Sequence, residues 1–244
     1  MTLRSGLIVS VFPALLLTSI ASADILSLPV TYRDFTPQTH PDFEYAISDD
    51  RNMVLTTLGP DGKPVFAHAG PTATVHGPDS FASWFNDVPG VNIPIAGSIE
   101  LDNSSPGPGG IYRYTNNDFF PLNGQGFGNY GETGRNFHFT MQMHAQFTYQ
   151  AGQMFSFTGD DDVWVYINKQ LVIDLGGVHG PESASVNLDT LGLTIGETYD
   201  FDFFFAERHT SGSTISIETS IVLIPAPASC IALSAIGLIA RRRR

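Results

Sequence analysis

The chain has 244 residues, of which 24 are acidic and 12 basic, giving a formal net charge of −12 with histidine neutral. An acid excess of this size argues against nucleic-acid binding, because neutralising phosphates needs clustered Lys and Arg. The length suffices for one well-buried domain, and the single cysteine, Cys230, leaves that domain no disulfide to stabilise it.

Taken in chain order, the first element is an export signal. Arg4 precedes an apolar run from Leu7 to Ile20, broken at Pro13, and Ala21-Ser22-Ala23 follows. A basic residue, a short apolar run and an A-x-A site make a secretory signal peptide cleaved after Ala23. The run falls short of the roughly 20 residues that a membrane span requires. From Asp24 to Gly134 the chain is rich in Gly, Pro, Asn and Asp, with short apolar pieces at Met53 to Leu58 and Phe81 to Phe85. That texture predicts loops with scattered short strands.

The texture changes near Arg135. Phe137, Phe139, Met141, Met143, Ala145, Phe147 and Tyr149 alternate with polar residues, a period of two that predicts a half-buried strand. Phe155 and Phe157 repeat the pattern, and Val163 to Ile167 with Leu171 to Asp174 predict a hairpin around Asn168-Lys169-Gln170. Tyr199, Phe201, Phe203 and Phe205 alternate with Asp200 and Asp202, which this reading places on the solvent side. Ile215, Ile217, Thr219 and Ile221 form a last strand. No window shows helical periodicity outside the two ends, so the expected fold is all-β, an antiparallel sandwich or barrel with long loops spanning residues 24–223.

The remaining residues, 224–244, read as a sorting tail: Ile224-Pro225-Ala226-Pro227, an apolar segment from Ala228 to Ala240, then Arg241 to Arg244. Four arginines beside a short hydrophobic helix hold a chain end on the cytoplasmic side during export. The tail resembles the PEP-CTERM class of bacterial sorting signals, with Ala226 where that motif has glutamate. The resemblance implies export machinery and a tail-processing membrane protease as partners, and a protein at the cell surface or outside the cell. Without Arg4 and the tail arginines, seven basic residues face 24 acidic ones, a charge near −17. Such a surface suits divalent cations.

The candidate site is Gly159-Asp160-Asp161-Asp162. Adjacent carboxylates repel one another, and a loop that gathers them is costly unless a cation or donors compensate. Calcium is the natural cation, a hard ion with oxygen ligands; a solvated acidic turn is the alternative. The stretch from Phe155 to Asn168 (Phe-x-Phe-Thr-Gly-Asp-Asp-Asp-Val-Trp-Val-Tyr-Ile-Asn) leads into Leu171 to His179. Together with His40 to Glu44, Trp84-Phe85, Asn123 to Gly128 and Phe203 to Arg208, it resembles the fibro-slime family, a branch of the PA14-like β-sandwich domains.

The resemblance covers roughly residues 30 to 220. It implies a PA14-type sandwich, in some members of which two adjacent aspartates joined by a cis peptide bind calcium and, through it, sugar hydroxyls. The matching residues here are Asp160 and Asp161. Further ligands come from a later loop, matched by Glu207 to Gly212, which contains no asparagine. Glu207 is then the additional carboxylate, unless it pairs with Arg208 or Lys169. Asp162 is a further metal ligand or is solvated, and His209 approaches the bound ligand. His179 is expected to hydrogen-bond within its own loop.

No H-E-x-x-H or G-x-S-x-G motif occurs, and the domain has no cysteine nucleophile. The expected function is therefore a non-catalytic calcium- and carbohydrate-binding domain. The alternatives are a structural matrix or surface-layer protein whose calcium only stabilises the fold, and an extracellular polysaccharide hydrolase.

Overall fold

The computed structural model describes residues 24–104 and 110–226. The predicted signal peptide and the hydrophobic and arginine parts of the predicted tail lie outside those residues. Thirteen strands are present among the described residues: β1 Ile25–Asp34, β2 Ser48–Asp49, β3 Ile93–Asp102, β4 Tyr112–Asn116, β5 Phe139–Thr148, β6 Met154–Gly159, β7 Asp162–Ile167, β8 Gln170–Leu175, β9 Gly177–Val178, β10 Glu182–Asn187, β11 Thr198–Glu207, β12 Ile215–Thr219 and β13 Ile224–Pro225. One four-residue helix, α1 Pro78–Phe81, and one 3-10 turn, Leu188–Thr190, are the helical elements among the described residues. No helix there is long and apolar enough to cross a membrane.

Eleven strands form one antiparallel sheet in the order β10-β6-β12-β4-β3-β1-β5-β11-β7-β8, with β13 paired to β5. The sheet curls until its end strands, β8 and β10, approach each other, so it encloses its own core. The predicted all-β sandwich or barrel is the fold observed. The strands predicted after Arg135 are all present. The hairpin turn is two residues long, Asn168 (φ 51°) and Lys169 (φ 63°), both in the left-handed conformation that matches the twist of β7 and β8.

The region before Arg135 departs from expectation. It supplies β1 and β3, ten-residue strands paired along their full length, and β1 also pairs with β5 in the middle of the sheet. Pro29, Pro94 and Gly97 hid these strands, because proline and glycine ordinarily argue against a strand interior. At Gly97 the reason is steric: a Cβ there would come within 2.5 Å of Cε2 of Tyr32. Conversely, Met53 to Leu58 makes only isolated bridges, Val54 to Phe66 and Thr57 to Gln170. Phe81 ends α1 rather than opening a strand.

Parity along β7 and β11 divides the protein into two apolar layers. Val163, Val165, Phe201, Phe203 and Phe205 point into the enclosed core with Phe139, Phe147, Phe155 and Phe157. Trp164, Tyr166, Phe204 and Ala206 point outward, yet they too are buried, under Met53, Val75, Phe81, Trp84 and Phe85. The long segment between β1 and β3 is therefore a second layer laid over the sheet. The layer also explains Asp202, which was expected in solvent but is only 7 % exposed and sits 2.6 Å from Nδ1 of His144.

A buried ion pair locks this layer to the sheet. Arg208, directly after β11, is fully buried, and its five N–H groups all have acceptors. Nε donates to Asp162 Oδ2 (2.6 Å) and Nη2 to Asp162 Oδ1 (3.1 Å) and Thr74 Oγ1 (3.1 Å). Nη1 donates to the carbonyls of Thr74 (2.8 Å) and Asp42 (3.5 Å), and the guanidinium lies 4.7 Å over the Trp84 ring.

Removing one member of a fully buried pair leaves the other charge uncompensated, at a cost of about 3–5 kcal/mol. Asp162→Ala should lower stability by that amount in urea unfolding. Asp118→Ala, which removes the exposed partner of the exposed Arg135, should cost under about 1 kcal/mol.

Candidate functional site

Four segments meet at the edge of the sheet where β6 ends and β7 begins. Gly159 closes β6 because β12 passes close by: a Cβ there would lie 2.3 Å from the Thr214 carbonyl oxygen. That approach lets Asp160 N donate to Thr214 O (3.2 Å), while Thr214 N donates back to Asp160 Oδ1 (2.5 Å). The Asp160–Asp161 peptide is cis, as is Thr210–Ser211 in the facing loop. Asp161 accepts from His179 N through Oδ1 (3.3 Å) and from Arg208 N through Oδ2 (3.0 Å). Both aspartates thus hold the backbones of neighbouring loops, and both are less than a tenth exposed.

Asp162 behaves differently. It opens β7 on the outward face and is fully buried, and its oxygens are taken by Arg208 and by Gly177 N (2.6 Å). The structure places Asp162, an expected metal ligand or solvated residue, out of solvent with both oxygens engaged by the Arg208 guanidinium and the Gly177 N–H.

Glu207 ends β11, one residue beyond Ala206, which pairs with Asp162 of β7, and on its other side it pairs with Phe139 of β5. Its parity is that of Phe205, toward the enclosed core. It is fully buried, and neither carboxylate oxygen has a hydrogen-bond partner; the hydroxyl of Ser213 is unpartnered as well. It pairs with neither Arg208 nor Lys169. Burial, then repulsion from Asp161 and Asp160, pushes its carboxyl well above the usual carboxylate range. Burial likewise raises Asp160, and raises Asp161 to about 7 against the lowering effect of Arg208.

A cavity of about 330 Å³ opens beside the aspartate pair, lined among others by Asp160, Asp161, Val178, His179, His209 and Ile47. His209 lines it as expected, but its ring is engaged, with Nδ1 2.7 Å from Thr210 O and Nε2 3.4 Å from Glu44 Oε2. His179 bonds within its own loop, Nδ1 to Gly180 O (2.8 Å) and Nε2 to Leu175 O (3.2 Å).

Glu44 is a residue that pattern reading passed over. Its Oε1 accepts from Thr210 N (2.9 Å) and lies 3.1 Å from His138 Nε2, which fixes the loop carrying His209. The one sequence signal was its place in the His40 to Glu44 piece, since an isolated loop glutamate has no periodicity to betray it.

The site can therefore present hard oxygen donors, two partly satisfied aspartates and one wholly unsatisfied glutamate. Among the described residues no three His, Cys, Asp or Glu side chains are placed to hold a metal ion by themselves. A cation here would draw in addition on main-chain, hydroxyl or water oxygens, which is how calcium fills its roughly six to eight positions.

The chain has relatives among known proteins. Protein psiR of Dictyostelium discoideum is 47% identical over 216 residues, covering 82% of this chain and 22% of psiR. Protein psiC of the same organism is 40% identical over 248 residues, covering 95% of this chain and 47% of psiC. The chain thus spans less than half the length of either relative. Among solved structures, a PA14 sugar-binding domain from an RTX adhesin is 17% identical, with 36% of this chain and 48% of that chain covered at a TM-score of 0.29. Residues 123–226, which carry Asp160, Asp161, Asp162, Glu207 and every cavity residue named above except Ile47, match the model of the PA14 domain family.

Proposed function

We propose that this is a non-catalytic, carbohydrate-binding domain of fibro-slime type on an exported protein, which holds calcium at Asp160, Asp161 and Glu207 and presents it to sugar hydroxyls in the adjoining cavity. The observation that carries the reading is Glu207, fully buried beside two further buried carboxylates with both oxygens unpartnered. A buried carboxyl without a partner is costly to ionise, and a bound cation is what would stabilise its charged form. Arg208 cannot do so, because Asp162 occupies it. The uncompensated donors are oxygens only, which suits calcium over a transition metal.

Calcium bound here would supply charge neutralisation and open coordination positions. The protein's own part is to hold the two aspartates by backbone N–H groups of Thr214, His179 and Arg208, so that they are ordered before any ligand arrives. Export rests on the predicted signal peptide and tail, and it supplies the calcium: extracellular modules bind the ion at about 10⁻⁴ to 10⁻³ M.

Calorimetry should therefore detect calcium binding by the chain in that range, and Asp160→Ala should abolish it. With calcium at about a hundred times its dissociation constant, wild type should gain about 2.7 kcal/mol in urea unfolding. Glu207→Gln should lose most of that gain while unfolding in EDTA close to wild type, since the amide replaces a carboxyl whose ionisation burial already disfavours. Unchanged calcium heat in both variants would overturn the assignment. Glycan binding that survives chelation would leave calcium a purely structural part.

The pH dependence has a definite sign. Asp161 is raised from 3.8 to about 7 in the calcium-free fold, so between those values the folded state holds a proton that the unfolded state has released. Calcium-free stability should fall as pH rises from about 4 to about 7. Calcium binding should displace that proton, seen as buffer-dependent calorimetric heat, and apparent affinity should weaken as pH drops below about 7.

A further inference from the structure

We infer that Ile47 is the specificity wall of the cavity, an apolar surface that packs against the C–H face of a pyranose ring while the ring's hydroxyl edge faces Asp160 and Asp161. The inference rests on the carbohydrate reading above and adds a residue that lies outside residues 123–226.

Ile47 lines the cavity while remaining 67 % exposed, so its side chain is open to a ligand there. It belongs to the segment laid over the sheet. Val178 and Pro181 supply further apolar lining, whereas the aspartates supply the polar part. A ligand matching both must carry hydroxyls along one edge and hydrocarbon on an adjoining face, which is the chemistry of a pyranose. At about 330 Å³ the cavity is at the small end of the roughly 300–1,000 Å³ usual for ligand sites, room for a terminal sugar rather than a long polymer segment.

The position of Ile47 is built, not incidental. Glu44, three residues earlier, has φ 58°, a left-handed conformation uncommon for a non-glycine residue. It is held there from both ends: its N–H donates to the Arg208 carbonyl (2.8 Å), and its carboxylate accepts from Thr210 N (2.9 Å). One residue past Ile47, Ser48 starts the short β2–β9 pairing, where Ser48 lies opposite Val178. Glu44 and Ser48 thus clamp the arm on either side of Ile47 against the two loops that form the rest of the cavity. Rigid support of a contact residue is what a binding site requires.

The test is titration of the full chain, at saturating calcium chloride, with methyl pyranosides of glucose, galactose, mannose and fucose, followed by NMR or calorimetry. Wild type should bind at least one of them. Ile47→Ala should weaken that binding about tenfold, as expected for lost hydrocarbon contact, with calcium affinity unchanged. Ile195→Ala, which trims an equally exposed isoleucine outside the cavity lining, should leave both unchanged. Equal pyranoside affinity in Ile47→Ala and wild type would overturn the wall and leave the carbohydrate reading standing. Absence of pyranoside binding by wild type would overturn both. Pyranoside binding that needs no calcium but is still lost in Ile47→Ala would support the wall and overturn the calcium part of the reading.

Discussion

The Arg208–Asp162 ion pair is the constraint on which the rest of the structure depends. A guanidinium with five satisfied donors, buried against an indole ring, fixes the end of β11, the start of β7 and the overlaid segment at Thr74 and Asp42 in one arrangement. Such a pair need not add much net stability, because desolvating two charges offsets their attraction. What it imposes is geometry. With Asp162 neutralised on the outer face, the acidic run separates into one structural residue and two that remain available at the cavity.

That separation bears on the electrostatics of the whole domain. Seven basic residues serve 24 acidic ones between the predicted processing points, so most carboxylates must find water or main-chain donors. Asp34 shows how: fully buried, it accepts from Asn136 Nδ2 (2.7 Å) and Phe127 N (2.5 Å), and burial still raises it to about 6. Asp42 likewise takes Trp84 Nε1 (3.1 Å) and the His76 backbone N–H (2.9 Å). Against that background, Glu207 stands apart as a buried carboxylate with no donor in hydrogen-bonding geometry, although the Ser213 hydroxyl and the His209 N–H lie near enough to lower its carboxyl somewhat.

β5, β6, β11 and β12 were legible from a period of two and β7 with β8 as apolar runs about a turn, whereas β9, β10 and β13 are short or polar and carry no such pattern. The hairpin at Asn168-Lys169 was legible from composition and spacing. β1 and β3 were not, since Pro29, Pro94 and Gly97 mimic loop texture and the Tyr32 ring that demands Gly97 is 65 residues away in sequence. At the site, the acidic run and Glu207 were visible, and the roles within them were only partly so. Which aspartate meets the arginine depends on which face each residue takes when β7 pairs with β11, a three-dimensional fact. Asp202 was misplaced for the same reason: sequence alternation marks the face opposite the core but cannot reveal that a second layer covers it.

Because side chains alternate along a strand, neighbouring residues at the ends of β7 and β11 perform unlike tasks: Glu207 has the parity of the enclosed core, Asp162 meets Arg208 under the outer layer, and Asp161, just before β7, lines the cavity. The two tasks are interleaved in one short stretch of sequence and share a reading frame. Substitution can retune either one alone, but inserting or deleting a single residue would exchange them, setting a cation among open carboxylates and leaving an unpaired acid under the tryptophan. A change of one residue between Phe155 and Asp162 or between Phe201 and Arg208 therefore costs the fold more than a change in the length of a loop.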